Sequence, residues 1–167
     1  MPESRSQGAQ PGANSRLAAI FLGDAGALAP LVQALERVPA DLWPRLAEVA
    51  VLLRSESVTD APPAELAPLA QRWPNLRVHG DPRRYGHGGR RKIAFEYALQ
   101  HGFDHVVVLE PDARYAPERI EDLWRLARDG AKFVVGSGRA APLARIVHNF
   151  VLDLDVADYA SPFRLIA

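Results

Sequence analysis

Short apolar runs alternate with helical patterns along most of this chain. Each run is rich in Val, Leu and Ile and is bounded by polar or turn residues, which is typical of a buried strand. Five strands are predicted, at residues 17–22, 49–53, 76–78, 106–109 and 132–135. Apolar residues at helical spacing predict helices over 27–38, 64–72, 93–100, 119–128 and 142–155. Strands that alternate with helices predict an α/β fold with a largely parallel sheet and right-handed crossovers.

The composition indicates one domain without a strong overall charge. A chain of 167 residues is long enough for a substantial core, and its 20 basic residues balance its 20 acidic residues. The chain therefore has no net charge that would attract nucleic acid or an anionic membrane as a partner. The absence of cysteine excludes a disulfide framework and a thiolate zinc site. No apolar run is long enough to predict a transmembrane segment.

The beginning of the chain is polar and rich in small residues. We interpret residues 1–15 as a disordered leader, because they lack the apolar segment of a secretory signal. Residues 16–167 then form a single domain. We expect a cytoplasmic protein, with peripheral contact to the inner membrane face as a further option.

The strand at 106–109 stops abruptly at Glu110-Pro111-Asp112. Ligands of open α/β sheets bind just beyond the carboxyl ends of the strands. Two carboxylates two residues apart could there hold a divalent cation on a substrate phosphate. An acidic turn that only faces solvent would have the same sequence, so both interpretations stay open at this point.

A glycine-rich turn at residues 86–89 is followed by Arg90, Arg91 and Lys92. Glycines let the backbone approach a phosphate, a helix N-terminus offers free N–H groups, and arginine adds a bidentate fork. We predict a phosphate site there, with Arg90 and Lys92 as the main cationic ligands. A solvated basic helix start is the alternative. Nucleic-acid binding is disfavoured because the run lacks interleaved aromatic residues.

The order of these features resembles the catalytic domain of inverting, nucleotide-sugar-dependent glycosyltransferases of family 2, which have the GT-A fold. Within them it is most similar to the polyprenyl-phosphate (dolichyl-phosphate) mannosyl- and glucosyltransferases. Their pattern is a glycine-rich turn, an Ala-x-x-x-Gly helix end, an apolar strand, Asp-x-Asp, then Tyr/His-x-Pro-Glu. The corresponding segments here are 86–89, 98–102, 106–109, 110–112 and 115–118, and the resemblance continues through 136–139, 145–149 and 158–164.

The resemblance implies a three-layer α/β/α sandwich of the nucleotide-diphospho-sugar transferase type. It implies transfer of a hexose from a donor such as GDP-mannose or UDP-glucose to a phosphate-bearing lipid, such as a polyprenyl phosphate, or another acceptor. Mg²⁺ or Mn²⁺ would be held by Asp112 and Glu110. The residues implied for the donor are Gly86, Gly88, Gly89, Arg90, Lys92 and Glu110. Those implied for catalysis are Asp112, Arg139 and Arg164, and those for the acceptor are Arg145, Ser161 and Arg164.

Two departures from the family pattern support a second hypothesis. Leu53-Arg54 stands where the family has a pair of acids that bind the nucleobase, and Glu56 or Asp60 could substitute only from a shifted position. Gly23-Asp24 replaces the family's Pro-x-Tyr-Asn-Glu. The chain is also short on the C-terminal side, where a partner or a second copy is expected to cover apolar surface. The alternative is therefore a catalytically inactive relative that acts as a binding or partner subunit.

Overall fold

A computed structural model of the chain describes residues 15–54, 62–81, 86–111, 116–135 and 164–166. These residues form one six-stranded sheet with the strand order β3-β2-β1-β4-β6-β5. The strands are β1 (Leu17–Asp24), β2 (Glu48–Arg54), β3 (Leu76–Asp81), β4 (His105–Leu109), β5 (Phe133–Val135) and β6 (Arg164–Ile166). Strands β1 to β4 pair in parallel, whereas β6 is antiparallel to both β4 and β5. The predicted α/β fold with a largely parallel sheet is confirmed.

Four α-helices accompany the sheet in the described ranges. They are α1 (Leu28–Glu36), α2 (Ala67–Arg72), α3 (His87–Gln100) and α4 (Ile120–Arg128). Short 3-10 turns at Trp43–Arg45 and Pro117–Arg119 precede β2 and α4. Helix α3 includes most of the glycine-rich segment as its first turn, and Gly102 follows its end with a φ of 65°. A left-handed residue at that position is the usual way to end a helix.

Two parts of the predicted chain organisation cannot be compared with the structure. The predicted helix over 142–155 and the predicted leader, apart from Ser15, lie outside the described residues. The hydroxyl of Ser15 lies 2.8 Å from His105 Nδ1 and so connects the start of the domain to β4.

The sheet is covered by helices on both faces. Successive side chains of a strand point to opposite faces, so an apolar strand between two helical layers is buried along its whole length. On one face, Phe21, Val51 and Val107 belong to a core shared with α1, α2 and α4. On the other face, Ile20 and Val108 belong to a core shared with α3. The three-layer arrangement explains why the strands appear as continuous apolar runs in the sequence.

Polar contacts also fix α3 on its face of the sheet. The Tyr97 hydroxyl donates a hydrogen bond to Glu48 at the start of β2. His79 Nε2, in β3, lies 2.9 Å from the hydroxyl oxygen of Tyr97. Burial, reinforced by Glu48, raises the pKa of Tyr97, so the hydroxyl keeps its proton. The C-terminal half of α3 is therefore held over β2 and β3, while its first turn lies at the carboxyl edge of the sheet.

The strand order reverses direction between β1 and β4. Strands β2 and β3 lie on one side of β1, and β4 lies on the other side. The crevice outside the carboxyl ends of two such strands is the usual ligand site of an open α/β sheet. In this protein the crevice is bordered by the last residues of β1 and β2, by Glu110 after β4, and by the first turn of α3.

Candidate functional site

Charged side chains lie at the carboxyl ends of β1, β2 and β4. Asp24 and Arg54 each follow by two positions a leucine whose side chain packs under α3, and Glu110 follows Val108 in the same way. Because strand side chains alternate between faces, all three are directed to the face that α3 covers. The sheet thus brings an arginine and two carboxylates to the edge where α3 begins.

Asp24 is held as a charged group at the end of β1. The backbone N–H of Gly26 donates to Asp24 Oδ1 at 3.0 Å, and Arg54 Nη2 donates to Oδ2. The hydrogen bond from Gly26 is the main cause that lowers the pKa of Asp24, and Arg54 lowers it further. The N–H of Ala25 also donates to the Arg54 carbonyl at 2.9 Å, so the ends of the two strands are connected.

Arg90 links the first turn of α3 to β1. Its Nη2 donates to the backbone carbonyl of Gly23. Burial is the main cause that lowers the pKa of Arg90; Glu110 opposes this shift, and the like charge of Arg54 adds to it. An arginine nevertheless remains protonated near neutral pH. Arg90 therefore places a fixed positive charge at the end of β1.

Arg91 links α3 to the end of β4. Its Nη2 lies 3.2 Å from Glu110 Oε1, and the two side chains are only 21% and 17% exposed. The Nε atom of Arg91 is buried and has no hydrogen-bond acceptor within the described part of the chain. A buried donor without a partner costs about 1–3 kcal/mol. The guanidinium of Arg91 is thus only partly satisfied by its contact with Glu110.

The backbone at the end of β1 requires a glycine. A Cβ atom on Gly23 would lie 2.8 Å from Leu31 Cδ2 and 3.0 Å from Leu53 Cδ1. Leu31 is fully buried and Leu53 nearly so, which leaves them little freedom to move away. The carbonyl that receives Arg90 is therefore set by tight packing beneath the site.

Several of the predicted donor residues come together at this edge, and others lie elsewhere. Arg90 and Glu110 both border the crevice. Gly86 precedes α3, and Gly88 and Gly89 lie in its first turn. A Cβ on Gly86 or Gly88 would meet no atom within 4 Å among the described residues, so this turn is open to an approaching group. Lys92 is exposed to solvent.

The predicted catalytic and acceptor residues fall mostly outside the described ranges. Asp112, Arg139, Arg145 and Ser161 are among them. Only the backbone of Arg164 is described: it pairs with Val108 of β4 and Val135 of β5. Within the described ranges, no group of three or more His, Asp or Glu side chains could hold a metal ion. Glu110 could supply one carboxylate ligand, and its pairing with Asp112 stays a prediction.

Sequence reasoning did not assign Asp24, Arg54 or Arg91 to the site. The first two carry a detectable signal, since opposite charges directly follow two buried strands. For Arg91 the signal is the helical spacing. Ala94 and Ala98 are the buried residues of α3, and Arg90 and Arg91 precede Ala94 by four and three positions, which puts them on the same helix face.

The fold and the site together define a class of protein. A largely parallel sheet with a helix start at its switch point is an open α/β arrangement, which nucleotide-binding proteins share with other α/β proteins. The comparison with known families is more specific: the profile of glycosyl transferase family 2 matches residues 27–145, and the chain belongs to that family. The predicted GT-A type of fold is confirmed, whereas the polyprenyl-phosphate subgroup stays a prediction.

Two solved structures align with the chain at low sequence identity. A mycobacterial protein aligns with a TM-score of 0.61 and 15% identity, over 93% of this chain and 54% of its own. A protein described as a nucleotide-diphospho-sugar transferase from Desulfovibrio desulfuricans G20 aligns with a TM-score of 0.43 and 19% identity, over 74% of this chain and 58% of its own. The chain thus spans just over half the length of each, and only the first likeness supports a shared fold. No curated protein sequence matches the chain. None of the described helices is long and apolar enough to cross a membrane.

Proposed function

We propose that this protein transfers a hexose from a nucleotide sugar, of the GDP-mannose or UDP-glucose type, to an acceptor with inversion at the anomeric carbon. The observation that carries the proposal is the position of α3 in a family 2 glycosyltransferase chain. Its first turn places Arg90 and Arg91 against Gly23 and Glu110, at the carboxyl ends of β1 and β4.

The donor's diphosphate is assigned to the first turn of α3. Gly86 and Gly88 leave this turn open, and the free N–H groups of a helix start favour an anion. Arg90 and Arg91 add positive charge on the side that faces the sheet. Strands lie about 4.8 Å apart, so the end of β2 is roughly 10 Å from the end of β4. A nucleoside whose diphosphate lies near β4 would extend over β1 towards Asp24 and Arg54.

Glu110 and Asp112 are proposed to hold Mg²⁺ or Mn²⁺ on the diphosphate. Bound there, the cation would stabilise the negative charge that develops on the departing nucleoside diphosphate. Glu110 fits this role as a partly buried carboxylate directly after a parallel strand. Its contact with Arg91 means that a cation has to compete with a guanidinium for the same oxygen atoms.

The acceptor is proposed to be a phosphate-bearing lipid, received by Arg145, Ser161 and Arg164, with Arg139 nearby. An acceptor phosphate is already ionised, so positioning and charge neutralisation replace a strong general base. The backbone position of Arg164 supports its part in this assignment. It pairs with Val108, two residues before Glu110, and so lies beside the carboxyl end of β4.

A catalytically inactive relative that acts as a binding or partner subunit is the second candidate. The ion pairs at the strand ends favour it, because Asp24 is held by Arg54 and Glu110 by Arg91. Each carboxylate is engaged by an arginine of the protein. If these contacts persist in the presence of a nucleotide, the protein binds without turnover.

Isothermal titration with GDP and UDP, with and without Mn²⁺, tests the proposal together with an assay of hexose release from GDP-mannose and UDP-glucose. The variant is Asp112→Asn, and Asp129→Asn at an exposed position after α4 is its control. Metal-dependent turnover that only Asp112→Asn abolishes would support the enzyme. Binding without turnover on either donor would favour the second candidate. Folded protein that binds neither nucleotide would contradict the enzyme and leave the second candidate, as a partner subunit.

A further inference from the structure

We infer that arginine side chains of β2 and α3 neutralise the donor's diphosphate directly, so that the nucleotide binds without a divalent cation. This inference rests on the proposed function and concerns the same site. Cation dependence, if present, would then belong to the transfer step and not to donor binding.

The first observation is the balance of charge around the crevice. The described ionic groups there are the guanidiniums of Arg54, Arg90 and Arg91 and the carboxylates of Asp24 and Glu110. Among the described side chains, Arg54 and Arg91 are each paired with a carboxylate, whereas Arg90 donates to the neutral Gly23 carbonyl. The charge of Arg90 can therefore attract an anion.

The second observation is the closeness of two like charges. Both guanidiniums lie at the end of β1, where Arg54 donates to the Asp24 carboxylate and Arg90 donates to the Gly23 carbonyl. The charge of Arg54 is among the causes that lower the pKa of Arg90. An anion that binds beside Asp24 would be attracted by both guanidiniums, and this attraction would add to its affinity.

The third observation is the half-used edge of Arg91. The Nε and Nη2 atoms form one edge of a guanidinium, and both can donate to two oxygens of one anion. In Arg37 this edge is fully used, since Nε and Nη2 donate to the two oxygens of Glu118 at 2.7 and 3.1 Å. In Arg91 only Nη2 has an acceptor, at 3.2 Å, and Nε has none in the described part of the chain. A phosphate that replaces Glu110 would supply oxygens to both atoms.

The three arginines would contact different parts of the diphosphate. Arg54 and Arg90 would neutralise the part near β1 and β2, and Arg91 would neutralise the part near β4. A shift of Arg91 from Glu110 to the diphosphate would break the contact between these two side chains. Donor binding would therefore change the surroundings of Glu110, the proposed cation ligand.

The test is isothermal titration of GDP and UDP in EDTA and in Mn²⁺. It uses the wild type, Arg91→Met, Arg54→Met and the control Arg125→Met, an exposed arginine of α4. We expect wild-type binding of at least one nucleotide in EDTA. We expect it to weaken by roughly 10-fold or more in each site variant, as for the loss of a charged hydrogen bond. The control should remain within about twofold of the wild type, since an exposed pair contributes little.

The outcomes separate this inference from the proposed function. Binding that needs Mn²⁺ and is unchanged by both arginine variants would overturn the inference and leave the glycosyltransferase in place. Folded wild-type protein that binds neither nucleotide under any condition would overturn both. If Arg91→Met does not fold, as judged by circular dichroism, the wild-type titration in EDTA and the half-exposed Arg54 still decide the question.

Discussion

Gly23→Ala most directly tests whether the tight packing against Gly23 holds the site in position. The added Cβ would lie 2.8 Å from Leu31 Cδ2 and 3.0 Å from Leu53 Cδ1, closer than carbon atoms normally approach. Both leucines belong to the core beneath the sheet. The core therefore has to shift, and the shift would also move the Gly23 carbonyl that receives Arg90.

The magnitude follows from two opposing effects. Overpacking of a filled core costs about 1–3 kcal/mol. The backbone of Gly23 does not require positive φ, so alanine also restricts the unfolded chain and returns about 0.4–1 kcal/mol. The net loss is roughly 1–2 kcal/mol in the free energy of unfolding. For a chain of this size, this corresponds to a melting temperature lower by about 2–8 °C.

Urea unfolding followed by circular dichroism measures this loss, and Gly88→Ala is the matched control. A Cβ on Gly88, in the first turn of α3, would have no atom of the described residues within 4 Å. Alanine there should therefore leave stability unchanged or raise it by up to about 1 kcal/mol. Leu31→Val removes the atom that would clash, and Gly23→Ala should cost less in that background. An unfolding midpoint for Gly23→Ala at or above the wild-type value would refute the packing argument.

Two further predictions concern stability. Burial lowers the pKa of His105 below its usual 6.5. Its neutral form therefore stabilises the fold above about pH 6.5, and that contribution is lost as the pH falls. We expect the free energy of unfolding of His105→Gln, measured in urea titrations, to fall less than that of the wild type between about pH 7 and 5. The exposed control His101→Gln should lose as much stability as the wild type over the same range. For the Arg37–Glu118 ion pair, with side chains 39% and 44% exposed, a double-mutant cycle should give a coupling below about 1 kcal/mol that decreases with salt.

Each of these predictions has a contrary result. A pH profile of His105→Gln that overlays the wild type would show that the histidine does not control acid sensitivity in this range. A coupling well above about 1 kcal/mol, or one insensitive to salt, would show that the Arg37–Glu118 pair is less solvent-screened than its exposure indicates.

The sequence alone determined most of the local structure, because apolar periodicity reports directly on burial. The strands from β1 to β5 appear as short apolar runs, and α4 appears as a strongly amphipathic segment after Pro117. The order of glycine turn, helix, strand and acidic turn also indicated the family. The helical spacing from Ala94 and Ala98 carries the signal that puts Arg90 and Arg91 on the sheet side of α3. The prediction nevertheless chose Arg90 and Lys92, and Lys92 is exposed.

Only the tertiary structure decided which charged groups meet. Asp24 and Arg54 are 30 positions apart, and their contact depends on the parallel register of β1 with β2. The contact of Arg91 with Glu110 depends on how α3 packs across β1 and β4. Likewise, the position of β6 between β4 and β5 follows from pairing between distant segments. Local patterns fix which face of an element is buried, but strand order and register arise from long-range packing, and they set the partners at the site.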